Sequence, residues 1–229
     1  MNKIKLDDRL FCAAEYVRRG GIAADIGTDH AYLPVYLIEN GICDKVIACD
    51  INRKPLDSAE RTVRRYGLED KIELRLSDGL GSIQKNECTD IIIAGMGAEL
   101  IADILGKCNW VKDKKINLVL NPMTKPELLR SFLAENGFDL LSETAAESNN
   151  KHYTVMNAVY NGVKQKLGIA DKYFGKLADD KSNAAVELKK MTARRMMKKA
   201  GGLYHREPNS EEAKLLEAAV QTIIGGETK

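Results

Sequence analysis

The chain has 229 residues, 44% of them hydrophobic and 30% charged, and its 35 Lys and Arg nearly cancel its 33 Asp and Glu to leave +2. That is enough for one sizeable domain with a smaller appendage, and it excludes a disordered chain. No stretch approaches the roughly 18–20 apolar residues of a membrane span, so no membrane association is expected.

The N-terminus MNKIKLDDRLFCAAEYVRRG has charges on both sides of a short apolar run, so it does not read as a secretory signal. Cys12, Cys43, Cys49, Cys88 and Cys108 form no CxxC pair and no regular spacing. Reduced thiols, a cytoplasmic protein and no metal site are the expectation.

Helical spacing of Leu6, Leu10, Ala13/Ala14 and Val17 predicts a helix over 6–19. Strands are predicted at 22–27, 45–50, 72–77, 90–95 and 116–121, four of them ending in Gly, Asp or Asn and 72–77 running into Asp78-Gly79. Helices are predicted between them at 32–40, 53–66, 98–107 and 126–136, with Gly67 and Gly137 as stops. Two further strands, 138–144 and 152–160, follow with no helix between them, which suggests an antiparallel pair at one sheet edge. The alternation implies an α/β fold with a doubly wound, mostly parallel sheet. Ligands in such folds sit at the C-terminal ends of the strands.

After residue 163 the pattern changes. Phe174, Leu177, Ala184, Leu188 and Met191 follow three-four spacing, as do Ala213, Leu216, Val220 and Ile223. Between them GGLYHREPNS (201–210) reads as a loop. An antiparallel helix pair is predicted, giving domains at 1–163 and 164–229. Charge divides the same way. Residues 1–163 carry 21 basic and 24 acidic side chains, and residues 164–200 carry 11 and 4. A polyanion partner and a solvated helix face both fit that excess.

The first strand runs into Asp25-Ile-Gly27-Thr28-Asp29-His30. A glycine there lets a ligand reach backbone N–H groups. Asp50 ends the second strand, where an acid accepts bonds from both ribose hydroxyls of a nucleoside cofactor. Asp78 follows the third and suits an adenine amine. Each acid alone is a common turn residue; three at successive strand ends indicate a nucleoside ligand. No GxGxxG is present, and a loop bearing Asp25 and Asp29 repels a pyrophosphate but suits a sulfonium. That favours S-adenosylmethionine over NAD. Asn121-Pro-Met-Thr124, at the end of the fifth strand, is similar to the Asn-Pro-Pro-aromatic motif of nucleobase amino-methyltransferases, but Thr124 replaces the aromatic.

Together ADIGTDHAYLP, VIACDI, LSDGL, DIIIAGMG, LVLNPM and the upstream LDDRL resemble the bacterial tRNA (adenine-22-N1)-methyltransferase family over roughly residues 4–160. The resemblance implies a seven-stranded Rossmann-like methyltransferase domain with a coiled-coil-like helical domain, S-adenosylmethionine as cofactor and tRNA as partner. It implies a donor site built from Asp25, Gly27, His30, Ala31, Tyr32, Leu33, Asp50, Ile51, Asp78, Gly79, Gly95 and Met96. Asp29 and Asn121 are the expected catalytic pair: Asp29 facing the base, Asn121 orienting its N6. Tyr32 and Tyr153 are both candidates to stack on the base. Arg9, Arg53, Arg194, Arg195, Lys198 and Lys199 are expected to contact RNA. Ala98 stands where the family has another Gly, and Asn121 where it shows Gln. Those departures leave open a methyltransferase for another RNA or a small molecule, or a non-catalytic RNA-binding module.

Overall fold

The computed structural model describes residues 4–225. Short apolar runs form its strands: β1 (Gly21–Ile26), β2 (Cys43–Asp50), β3 (Ile72–Leu76), β4 (Asp90–Met96), β5 (Asn117–Pro122), β6 (Phe138–Ser148) and β7 (Lys151–Tyr160). They make one sheet in the order β3-β2-β1-β4-β5-β7-β6. Neighbours from β3 to β5 pair in parallel, and β7 runs antiparallel to both β5 and β6. The reversal is locally encoded. Asn149 and Asn150, between β6 and β7, take φ of 51° and 57°, the left-handed turn geometry that matches strand twist in a two-residue hairpin. The switch in strand order between β1 and β4 opens a crevice at the C-terminal rim.

Helices cover both faces, which is why the central strands are apolar throughout rather than alternating. Ile91 and Ile93 pack toward α4 (Ala98–Gly106) and α5 (Pro126–Glu135). Ile92 packs on the other face with α1 (Asp8–Glu15), α2 (Tyr32–Glu39) and α3 (Arg53–Tyr66). In α3, Leu56, Ala59 and Val63 are buried, and Gly67 ends it at φ 65°. Ala98, the departure from the family glycine, is fully buried at the start of α4, so the fold accommodates its methyl.

The first helix is shorter than its periodicity predicts. Asp7 caps it by accepting the Leu10 N–H at 3.0 Å, so α1 starts after this residue. At its other end, the N–H groups of Tyr16 and Val17 bond back to Ala13 and Ala14.

Residues 161–168 form neither helix nor strand. Beyond them lie α6 (Ile169–Phe174), a 3₁₀ turn at Gly175–Ala178, α7 (Asn183–Arg206) and α8 (Glu211–Ile224). Two expectations are corrected here. Phe174 and Leu177 belong to α6 and the 3₁₀ turn, not to the long helix. The predicted loop 201–210 shrinks to four residues, because α7 continues through Gly201 and Gly202 to Arg206. Two helical glycines cost about 1 kcal/mol each relative to alanine. Packing offsets that cost: Leu203 and Tyr204 lie against the α6–α8 core, and Tyr204 donates to Glu217 at 2.9 Å.

Candidate active site

The loop after β1 is the most strained backbone at the rim. Gly27, Asp29 and Ala31 take φ of 82°, 48° and 57°. Two of those are non-glycine residues in the left-handed region, each costing about 1–2 kcal/mol, and such outliers cluster at ligand sites. The loop is pinned at its root, where the Gly27 and Thr28 N–H groups both donate to the Cys49 carbonyl. A Cβ on Gly27 would meet only the far end of the Met96 side chain, so it is the left-handed φ that keeps this position glycine. Gly95, near the end of β4, also takes a left-handed φ of 86°. His30 stacks on Tyr32 with centroids 5.3 Å apart, and its ring lies 3.7 Å from the Asp29 carboxylate. Asp29 itself projects into solvent, with its side chain 70% exposed.

Asp25 lies below this loop and is buried. Burial pushes its carboxyl up from 3.8 to about 6, and Asp50 adds to the rise. The Thr28 hydroxyl lies close enough to offset part of it, from outside hydrogen-bonding geometry. Because the folded-state value is raised, the folded chain holds more protons than the unfolded one between about pH 4 and 6. Stability from this group is therefore present below pH 4 and lost as pH rises through 6. The loss is on the order of 3 kcal/mol. Asp25→Asn is expected to remove that slope from denaturant unfolding measured across the window. An unchanged slope would assign the titration to another group.

Asp50 ends β2, with one carboxylate oxygen accepting the Asn52 N–H at 2.8 Å. Ile51 beside it is exposed. Asp78 and Gly79 open a neighbouring cleft of about 400 Å³ whose far wall includes Ile104 and Trp110. Leu33 lines the main cleft, whereas Ala31 is wholly buried and acts through its backbone at the start of α2.

The main cleft, of about 350 Å³, is lined by the Gly27–His30 loop and by Asp7, Arg9 and Leu10. One expectation is corrected here, that for Asn121. Arg9, expected to contact RNA, lines this cleft with its side chain 16% exposed and held by three elements. It donates to Asp7 at 2.7 Å and to Asn121 Oδ1 at 3.1 Å, and it lies over the Tyr153 ring at 5.4 Å. Asn121 does not face the rim. It is completely buried, and its Nδ2 donates to the Thr154 carbonyl at 2.9 Å. Both ends of the amide are thus engaged inside the protein. Arg9 also covers the Tyr153 ring, which leaves the half-exposed Tyr32 as the more available aromatic.

The six expected RNA-contacting cations therefore differ in availability. Arg195 pairs with Glu127 at 3.0 Å and Lys199 with Glu212 at 2.7 Å, and both side chains stay about half exposed. Arg53 is exposed but pairs with Asp57 one helical turn on. Arg194 and Lys198 lie four apart on the exposed face of α7.

Sequence reasoning missed a buried joint between the sheet and the C-terminal helices. Arg130 of α5 meets Glu143 of β6 at 2.9 Å with both side chains almost fully buried. Arg130 also donates to the Lys172 and Tyr173 carbonyls, and Glu143 accepts the Lys176 N–H at 2.7 Å. A Cβ on Gly175 would overlap both charged groups. The sequence carries one available signal: an acid, Glu143, at a position predicted to be inside a strand.

Several features fit a bound nucleoside sulfonium. The strained loop has no side chain at Gly27, and acids cluster at the strand ends. Among the described residues, the Thr28 hydroxyl is the one buried side-chain polar atom without a hydrogen-bond partner. Among those residues no group of His, Cys, Asp and Glu is arranged to hold a metal ion, and no helix is long and apolar enough to cross a membrane.

A family profile described as a methyltransferase domain matches residues 6–156. The tRNA (adenine(22)-N(1))-methyltransferase of Bacillus subtilis (strain 168) is 39% identical over 199 residues, covering 84% of this chain and 82% of the relative. The crystal structure of the B. subtilis M1A22 tRNA methyltransferase TrmK superposes with a TM-score of 0.79 at 31% identity, over 95% of this chain and 99% of that one. M. capricolum TrmK, in complex with its natural cofactor product S-adenosyl-homocysteine, gives 0.77 at 26% identity, over 96% and 97%. By these matches along nearly its whole length, the chain belongs to the tRNA (adenine(22)-N(1))-methyltransferase family.

Proposed function

We propose that this chain methylates N1 of adenine 22 in tRNA with S-adenosylmethionine as donor. The observation that carries the reading is a single cleft lined by both the strained Gly27–His30 loop and the Asp7–Arg9 wall, in a chain 39% identical to a curated enzyme of that activity. The donor supplies an electrophilic methyl on a sulfonium, which the lone pair of adenine N1 takes without prior deprotonation. The protein's work is then positioning and charge stabilisation. Gly27 and Gly95 allow close approach to the backbone, Asp50 receives the ribose hydroxyls, and Asp78 and Gly79 lie on the adenine side. Asp29, exposed at the mouth of the cleft, faces the base and offsets the positive charge it gains. In a duplex the N1 edge is paired, so the base must be flipped out, and Tyr32 is placed to stack on it.

Residues 1–163 form the catalytic unit in this reading, and 164–229 the unit that contacts RNA. A tRNA substrate implies a cytoplasmic protein. Incubation with labelled donor and unmodified bulk tRNA, followed by nuclease digestion and mass spectrometry, is expected to give 1-methyladenosine at position 22. Label absent from adenine, with donor binding demonstrated, would overturn the assignment.

Arg194 and Lys198 carry the RNA role of α7. Replacing both with glutamate is expected to weaken tRNA binding and to lower the slope of log K against log salt by about 2, roughly one per lost phosphate contact. An unchanged slope would return that face to solvent.

A further inference from the structure

The activity proposed above needs the enzyme to tell adenine from guanine while leaving N1 free. N1 is the reacting atom, so the edge that carries N7 and N6 is the one left free for the protein to read. The other polar edge of adenine presents the N7 acceptor beside the N6 donor, whereas guanine presents two acceptors, N7 and O6. A protein group that offers one donor next to one acceptor therefore fits adenine and rejects guanine.

The wall of the same cleft carries such a pair. Arg9 and Asp7 both line the cleft, with the guanidinium and carboxylate 2.7 Å apart. Arg9 is its one Lys or Arg side chain, against three aspartates. The pair is held in place from behind. Asn121 and Met123 engage Arg9 Nη1, and the Leu10 N–H engages Asp7 Oδ1. Five guanidinium N–H groups and four carboxylate lone pairs exceed those contacts, so donor and acceptor capacity remains for a ligand. Asp7 is 34% exposed and Arg9 16%, so the carboxylate is the more open of the two.

We infer that Arg9 and Asp7 are the specificity pair of the reaction: Arg9 donates to N7 of the target purine, and Asp7 accepts from N6. Gripped by that edge, the base turns N1 away from the wall. Asn121, buried behind Arg9, is a positioning residue that sets the guanidinium's angle. The inference rests on the adenine-N1 assignment.

The test is a cycle between protein and substrate. A tRNA whose target adenine is replaced by 7-deazaadenine lacks the N7 acceptor. Wild-type kcat/KM is expected to fall about tenfold on it. Arg9→Gln is expected to lose a similar factor on normal tRNA and to show no further loss on the 7-deaza substrate. Arg9→Lys, which keeps one donor, retains part of the penalty. Calorimetric donor binding serves as the control for folding, and a merely structural role for Arg9 would lower both substrates equally. A 7-deaza penalty as large in Arg9→Gln as in wild type overturns the inference, as does the absence of any penalty in wild type. Failure of the wild-type enzyme to methylate adenine N1 at all removes the functional reading and this inference together.

Discussion

Glu143→Leu is expected to destabilise the protein by roughly 3–5 kcal/mol, the largest effect of any single substitution considered. The reason is an uncompensated charge rather than a lost contact. Arg130 and Glu143 are nearly inaccessible, and without the carboxylate the guanidinium stays buried with only the Lys172 and Tyr173 carbonyls as partners. Glu143 also accepts from Thr154 at 3.3 Å and from the Lys176 N–H, so its removal loosens the 3₁₀ turn that leads into α7. Removing both charges, as Arg130→Met with Glu143→Leu, should recover much of the loss, because an apolar pair of similar volume avoids the desolvation cost. Urea unfolding of the wild type and the two variants gives the comparison. A double variant no more stable than the single one would mean that the hydrogen bonds, not the charge, dominate the joint. Gly175 is part of the same device, since a side chain there would displace the pair.

Asp29→Ala is expected to keep donor binding and to lower methyl transfer by on the order of 100-fold, the scale of one removed transition-state partner. The exposure of Asp29 supports this division. Its side chain is 70% exposed and its ion-pair approach to His30 is a long 3.7 Å, so the fold gains little from it. Asp50→Ala should behave in the opposite way. It removes charged acceptors for two hydroxyls and is expected to weaken donor binding on the order of 100-fold. Calorimetry with the donor and single-turnover transfer on tRNA separate the two. An Asp29 variant that no longer binds donor would move that residue to the cofactor side.

Much of the fold was legible from local pattern. The isoleucine run of β4, the charged amphipathic α3 with its glycine stop, and the strand-end acids were all recognised without tertiary information. Hydrophobic periodicity and turn chemistry act over a few residues, so a linear reading captures them. Where the reading failed, a longer-range gain outweighed a local preference. Gly201 and Gly202 stay helical because Leu203 and Tyr204 are anchored against the α6–α8 core.

The working surface of the cleft depended on the assembled fold. Arg9 and Asn121 are 112 residues apart in the chain. Nothing near either one indicates that the first would be drawn from solvent and the second sealed beneath it. Whether a polar side chain is exposed, or engaged with a partner, is a property of the assembled surface. The same holds for the basic helix: its charge excess was visible in the sequence, but only packing pairs Arg195 and Lys199 with acids on neighbouring elements and leaves Arg194 and Lys198 on the open face. Residue types and their spacing along the chain determined the class of ligand and the order of strands and helices. Three-dimensional packing decided which side chains are buried, paired or exposed, because burial and pairing are set by distant parts of the chain.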